Sequence, residues 1–156
     1  GKATWPHMMA RAMLAEQRDD LVQLEADLRF ILSQEPDNAM ALNALGYTLA
    51  DRTERYDEAL QLIELAQQIN PQDPAILDSL GWVHYRLGNL QQAEQYLRQA
   101  FAAFPDHEVA AHLGEVLCLR GKQREARQVW RQALDTQPDS TILRETLLRL
   151  TGEEHP

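Results

Sequence analysis

Residues 42–101 read LNALGYTLADRTERYDEALQLIELAQQINPQDPAILDSLGWVHYRLGNLQQAEQYLRQAF, and within them the pair Leu45-Gly46 returns 35 residues later as Leu80-Gly81. A third copy, Leu113-Gly114, follows after another 33. Other landmarks keep step: Ala59, Ala93 and Ala126; Ala66, Ala100 and Ala133; Pro71, Pro105 and Pro138, each set separated by 34 and then 33 residues. Landmarks that drift together define one repeated unit, with one extra residue in the Asp51–Tyr56 turn and one fewer after Pro105. Between each Leu-Gly and the next proline lie two apolar stretches of helical period, joined by turn signals such as Gly88-Asn89 and Gly121-Lys122. Each unit is therefore expected to be a helical hairpin.

The landmarks have physical reasons. Gly46, Gly81 and Gly114 remove a Cβ where the two helices of a hairpin cross, and Ala59, Ala93 and Ala126 do the same on the partner helix. Pro71, Pro105 and Pro138 stop the second helices, and Asp73, Asp106 and Asp139 follow as caps or first-turn anions of the next ones. Stacked hairpins then bury a continuous core.

This pattern resembles the tetratricopeptide repeat, a helix-turn-helix unit of about 34 residues with Leu-Gly, two small-residue positions and a terminal proline. The resemblance implies an all-α fold, a right-handed α-α superhelix of antiparallel helical hairpins. Whole repeats fall at 39–72, 74–106 and 107–138. A partial repeat at 8–37 matches in its second helix and its Gln34-Glu35-Pro36-Asp37 ending, while Arg11-Ala12 replaces Leu-Gly, and Leu24 and Ile31 replace the alanines. Looser packing is expected there. Asp139 or Ser140 is expected to cap a last helix within 139–150 whose Ile142, Leu143, Leu147 and Leu150 form one apolar stripe over the final repeat. Residues 8–150 thus read as a single repeat domain, with 1–7 as a vector remnant and 151–156 as a frayed tail.

Composition narrows the function. The chain has 156 residues with 24 acidic against 15 basic, a net charge of -9 that opposes phosphate binding and argues against nucleic acid as a partner. The one cysteine, Cys118, excludes an intrachain disulfide and a multi-cysteine metal cage. No apolar stretch is long enough to span a bilayer.

No catalytic constellation stands out. His107-Glu108 and His112 superficially suggest a zinc protease motif, but five residues separate the histidines where convergence on a helix needs four. Glu108, His112 and Glu115 share a face at i, i+4 and i+7, a weak metal set that an exposed polar stripe explains equally well. Phosphate loops and nucleophile elbows are absent, and Cys118 lies off the face of His112. The expectation is a protein that is no enzyme, with no cofactor and no metal. Arg120, Lys122, Arg124, Arg127 and Arg131 form the one basic concentration, either a dock for an acidic partner or, as we favour, a solvated outer face.

Function then falls to a binding surface. In the tetratricopeptide family the first helix of each repeat lines a groove. The resemblance carries those positions onto Met40, Asn43, Tyr47 and Ala50, then Asp78, Trp82, Tyr85 and Arg86, then Glu108, Ala111, His112 and Glu115. Trp82, Tyr85, Asp78 and Arg86 combine rigid apolar area with orienting charge, suited to holding a peptide, though either aromatic can instead pack between hairpins. The family's chaperone-tail clamp is disfavoured, because no lysine accompanies Asn43. The segment 42–101 further resembles the carboxyl-terminal repeats of bacterial outer-membrane lipoproteins, in particular an adaptor that binds a periplasmic carboxyl-terminal processing protease. That resemblance implies a periplasmic scaffold, tethered by a lipid outside this sequence, that brings protease and substrate together without catalysis. The alternative reading is self-association through an apolar seam on the first repeat or terminal helix.

Overall fold

A computed structural model describes residues 5–17 and 20–156 of the chain. Among the described residues the elements are α1 (Trp5–Gln17), α2 (Leu21–Gln34), α3 (Ala39–Arg52), α4 (Tyr56–Ile69), α5 (Pro74–Arg86), α6 (Leu90–Ala103), α7 (His107–Leu119), α8 (Gln123–Thr136) and α9 (Thr141–Thr151), with no strand. They pair as antiparallel hairpins α1/α2, α3/α4, α5/α6 and α7/α8, with α9 packed on α7. The chain divides into two compact units, residues 1–72 and 73–156.

The boundaries follow local chemistry. Asp73 caps α5 by accepting from the Ala75 N–H at 2.9 Å, and Asp106 caps α7 by accepting from the Glu108 N–H at 3.1 Å. At α9 the cap is Ser140, whose Oγ accepts from the Leu143 N–H at 3.2 Å, while Asp139 stays exposed 3.7 Å from Arg144. The turns at Gly88 and Gly121 require left-handed backbone, φ 88° and 80°, which glycine adopts without strain. The longer turn between α3 and α4 lacks a glycine and uses Thr53, whose Oγ1 donates to the Leu49 carbonyl at 2.6 Å and accepts from the Arg55 N–H at 3.0 Å. Helix α1 begins at Trp5, inside the stretch expected to precede the fold, with Pro6 in its first turn where a missing N–H costs nothing.

In the unit of residues 1–72 a Cβ on Gly46 would lie 2.5 Å from Ile63 Cγ1, so α3 and α4 meet where only glycine fits. In the first hairpin buried Ala12 stands at the glycine position. Arg11, in place of leucine, donates to Asp27 Oδ2 from Nε at 2.9 Å and to Oδ1 at 2.5 Å; Gln23 adds a bond at 2.8 Å, and Asp27 is 1% exposed. A forked ion pair thus ties the hairpin, where looser packing is expected from the sequence, alongside the buried Leu24, Leu28 and Ile31. Glu25, Arg29, Arg55 and Glu58 form an exposed ion network between α2 and α4.

In the unit of residues 73–156 a Cβ on Gly81 would lie 2.5 Å from Leu97 Cγ, and one on Gly114 would fall on the Trp130 indole. Ala93, Leu97, Ala110, Leu113, Val116, Leu117, Trp130, Leu143 and Leu147 belong to its core, each no more than 2% exposed. Leu143 and Leu147 bring α9 into that core, as the apolar stripe predicted.

Candidate functional site

Helices α5, α7 and α9 are successive first helices of the second unit, and α7 packs on both of the others. Asp78, Trp82, Tyr85 and Arg86 stand on α5, and Glu108, Ala111, His112 and Glu115 on α7. Gly81 faces α6 and Gly114 faces α8.

Five of these residues are joined in one network. His112 Nδ1 lies 2.8 Å from Asp78 Oδ1, which bridges α7 to α5. The Trp82 ring stacks on His112 at a centroid distance of 4.1 Å and on Tyr85 at 4.7 Å. Tyr85 donates its phenol O–H to Glu115 Oε2 at 2.5 Å, and Arg149 on α9 donates to the other oxygen of the same carboxylate. Burial and then the hydrogen bond to Glu115 push the Tyr85 phenol up to about 12, so it is a protonated donor at neutral pH.

Exposure sorts the candidates into two roles. Trp82 and Asp78 are 7% exposed, and His112 and Glu115 4%, so they lie in the seam between first helices and support the surface. Tyr85 is half-buried, and Arg86 and Glu108 are exposed, so these three meet solvent. Desolvation raises the Glu108 carboxyl, with Asp78 and Asp106 adding like charge against the opposing effect of the histidines. Ala111, 1% exposed, is core. In the first unit Asn43 and Tyr47 are half-buried on α3, Met40 is 59% exposed and Ala50 fully buried. Asn43 Oδ1 is buried with no hydrogen-bond partner.

Arg149 was not singled out from the sequence. The available signal is its spacing: Glu115 lies 33 residues after Trp82 and Arg149 another 34 on, so the three hold equivalent repeat positions. Reading the terminal helix only as a cap hid it.

Other constellations serve structure. His107 Nδ1 lies 2.6 Å from Ser140 Oγ, and its Nε2 is 3.9 Å from Asp106 Oδ1, a superficial likeness to a nucleophile, base and acid. Ser140 is only 6% exposed, its Oγ holds the Leu143 N–H, and 3.9 Å is too long for a hydrogen bond. The constellation is a helix cap. Among the described residues no three His, Cys, Asp or Glu side chains group to hold a metal. The half-buried Cys118 thiol is raised by burial, which lowers its thiolate fraction. Part of the basic run is drawn inward: Arg120 and Lys122 bond Glu94 at 3.2 and 2.9 Å, alongside Arg98 at 2.8 Å. Arg131 bonds the Pro156 carbonyl at 2.9 Å, while Arg124 remains exposed.

A TPR repeat-containing protein of Pseudomonas aeruginosa, PA4667, is 64% identical over 149 residues, 96% of this chain, and the chain spans 25% of that protein's length. The bacteriophage adsorption protein A of Escherichia coli is 33% identical over 90 residues, 58% of this chain and 9% of that protein. Among solved structures, the thermophilic TPR protein TTC0263 of Thermus thermophilus superposes with a TM-score of 0.78 at 22% identity, covering 92% of this chain and 81% of its own. The pilF protein of Pseudomonas aeruginosa superposes with a TM-score of 0.74 at 19% identity, covering 93% and 68%. These structural likenesses concern the fold, an all-α helical repeat. Two tetratricopeptide repeat family models match residues 37–106 and 79–141, and together they take in the three glycine-crossed hairpins. The chain belongs to the tetratricopeptide repeat family.

Proposed function

We propose that this chain is a non-catalytic protein-interaction scaffold whose first-helix face in residues 73–156 holds an extended segment of a partner protein. The observation that carries this reading is Tyr85. Its ring is half-buried, its hydroxyl is anchored 2.5 Å from a buried carboxylate, and its face is stacked on Trp82. A preformed aromatic surface loses little freedom when a partner lands on it, and exposed Arg86 and Glu108 supply charge of both signs beside it. In the unit of residues 1–72, taken by itself, Asn43 and Tyr47 of α3 are candidate contacts.

In its finer form the proposal places the module in the bacterial periplasm, tethered to the outer membrane in the full-length protein, as an adaptor for a carboxyl-terminal processing protease and its substrates. What supports this is the resemblance of residues 42–101 to such adaptors. A scaffold that holds both raises their effective concentration with no catalytic group of its own. The self-association alternative has a specific observation too: Met13 and Leu14 of α1 are 53% and 50% exposed.

The test compares the intact module with a Tyr85→Ala, Arg86→Ala variant of equal helicity. Each is immobilised and exposed to a bacterial envelope extract and, separately, to a purified carboxyl-terminal processing protease. Loss of a specific partner from the variant supports the groove; equal capture by both overturns it. Binding of the protease alone separates the finer reading from the general one. A mass that doubles with concentration, measured by sedimentation, favours self-association.

A further inference from the structure

Glu115 is 4% exposed, and its carboxylate takes donors from two other helices: the Tyr85 hydroxyl on α5 at 2.5 Å and the Arg149 guanidinium on α9. A buried carboxylate stripped of its cation is unstable as an ion. Without that cation it turns toward water, which changes what Tyr85 bonds to. The Tyr85 ring in turn stacks on Trp82 at 4.7 Å, and Trp82 on His112 at 4.1 Å, while His112 bonds Asp78 at 2.8 Å. One continuous chain of contacts thus runs Arg149, Glu115, Tyr85, Trp82, His112, Asp78, beginning on α9 and ending on α5. The Arg149 side chain is itself 58% exposed, so its ionic link to Glu115 is separable from the apolar docking of α9 through Leu143 and Leu147.

We propose that Arg149 is a positioning residue of the binding face: by holding the Glu115 carboxylate in place it fixes the Tyr85 ring, and through that ring it orients Trp82. This rests on the reading that the first-helix face of residues 73–156 binds a partner. It makes α9 part of the recognition surface as well as the end of the core. A partner would then meet an aromatic surface set by a helix whose sequence reads only as a cap.

The experiment uses the full chain and needs no partner. Indole N–H and tyrosine ring signals are recorded by NMR for the wild type, Arg149→Met, Arg149→Lys and Tyr85→Phe. Methionine keeps an unbranched stem without the charge; lysine returns the charge. Expected are displaced Trp82 and Tyr85 signals in Arg149→Met, largely restored in Arg149→Lys, with the core Trp130 indole signal unmoved. Tyr85→Phe is expected to displace the Trp82 signal while hydrogen exchange in α9 keeps its wild-type rate. Unmoved Trp82 and Tyr85 signals in Arg149→Met overturn the proposal, and so does a displacement shared equally by Trp130, which marks a general loss of packing. Failure of the partner-binding reading shows instead as equal partner capture by the Tyr85→Ala, Arg86→Ala variant, an independent result.

Discussion

Gly81 shows how one missing methyl group sets a hairpin. Its absent Cβ would sit 2.5 Å from Leu97 Cγ and 3.1 Å from the Ala93 carbonyl oxygen, so an alanine there must displace α6. Gly81→Ala is expected to lower stability by about 1–3 kcal/mol in urea unfolding, with native helix content retained. Gly88→Ala meets nothing within 4 Å and pays only for a left-handed backbone, φ 88°, about 1–2 kcal/mol. Glu108 illustrates the opposite kind of residue, one kept at some expense to stability. Its carboxyl is raised in the folded protein, so the native state binds a proton more tightly than the unfolded chain, and ionisation at neutral pH works against folding. Because the side chain is exposed, solvent screens most of this cost, and Glu108→Gln is expected to raise the melting temperature at pH 7 only slightly, with the gain vanishing as the pH falls below the carboxylate range. A gain that persists in acid refutes this account.

Among the helices, the turn before α9 concentrates several bonds on one side chain. Ser140 Oγ accepts from the Leu143 N–H and pairs with His107 Nδ1, tying α9 to the start of α7. Ser140→Ala is expected to cost about 1–2 kcal/mol and to raise hydrogen exchange at the Leu143 amide first. Helix α1 departs from its siblings, with Arg11, paired to Asp27, where they have a leucine and Ala12 where they have a glycine. Asp27 is buried while the Arg11 side chain is 52% exposed, so removing the cation strands a buried carboxylate, and Arg11→Leu alone is expected to lower thermal stability more than the double change Arg11→Leu, Asp27→Leu. A thermal melt of the two variants decides. The sequence marks this hairpin as divergent, since Arg11-Ala12 stands where Leu-Gly belongs. Its remedy is invisible there because Arg11 and Asp27 are 16 residues apart and belong to no repeated pattern.

Across the molecule five ion-paired carboxylates share one sign of pH response. Asp27 is held low by the hydrogen bonds from Arg11, Glu25 by Arg55, Glu58 by Arg29 and Glu125 by Arg98. Glu94 is lowered as well, although burial opposes the bonds from Lys122 and Arg98. Carboxylates depressed in the folded state add stability above their unfolded value of about 4 and lose that contribution as the pH falls through their lower folded values. Chemical unfolding from pH 7 down to pH 3 is expected to show a steady loss below about pH 4.5; a flat profile contradicts it. Added salt is expected to change the neutral-pH value little, because most of these pairs reach the surface, where screening already weakens them.

Periodic features were legible from the chain alone: the hairpins, the glycine crossings, the capping aspartates at 73 and 106, the terminal helix and the family. Each is local or recurs at a fixed interval, so three copies state the rule three times. The division of the first-helix residues into a buried support (Asp78, Trp82, His112, Glu115) and an accessible rim (Tyr85, Arg86, Glu108) was decided only by the tertiary structure. So was the recruitment of Arg149 to Glu115. Burial and pairing on that face depend on which side chain of the next first helix, some 33 or 34 residues away, reaches across. The repeat aligns Trp82, Glu115 and Arg149, but three different side-chain types stand at that position, so the alignment does not say which of them pair.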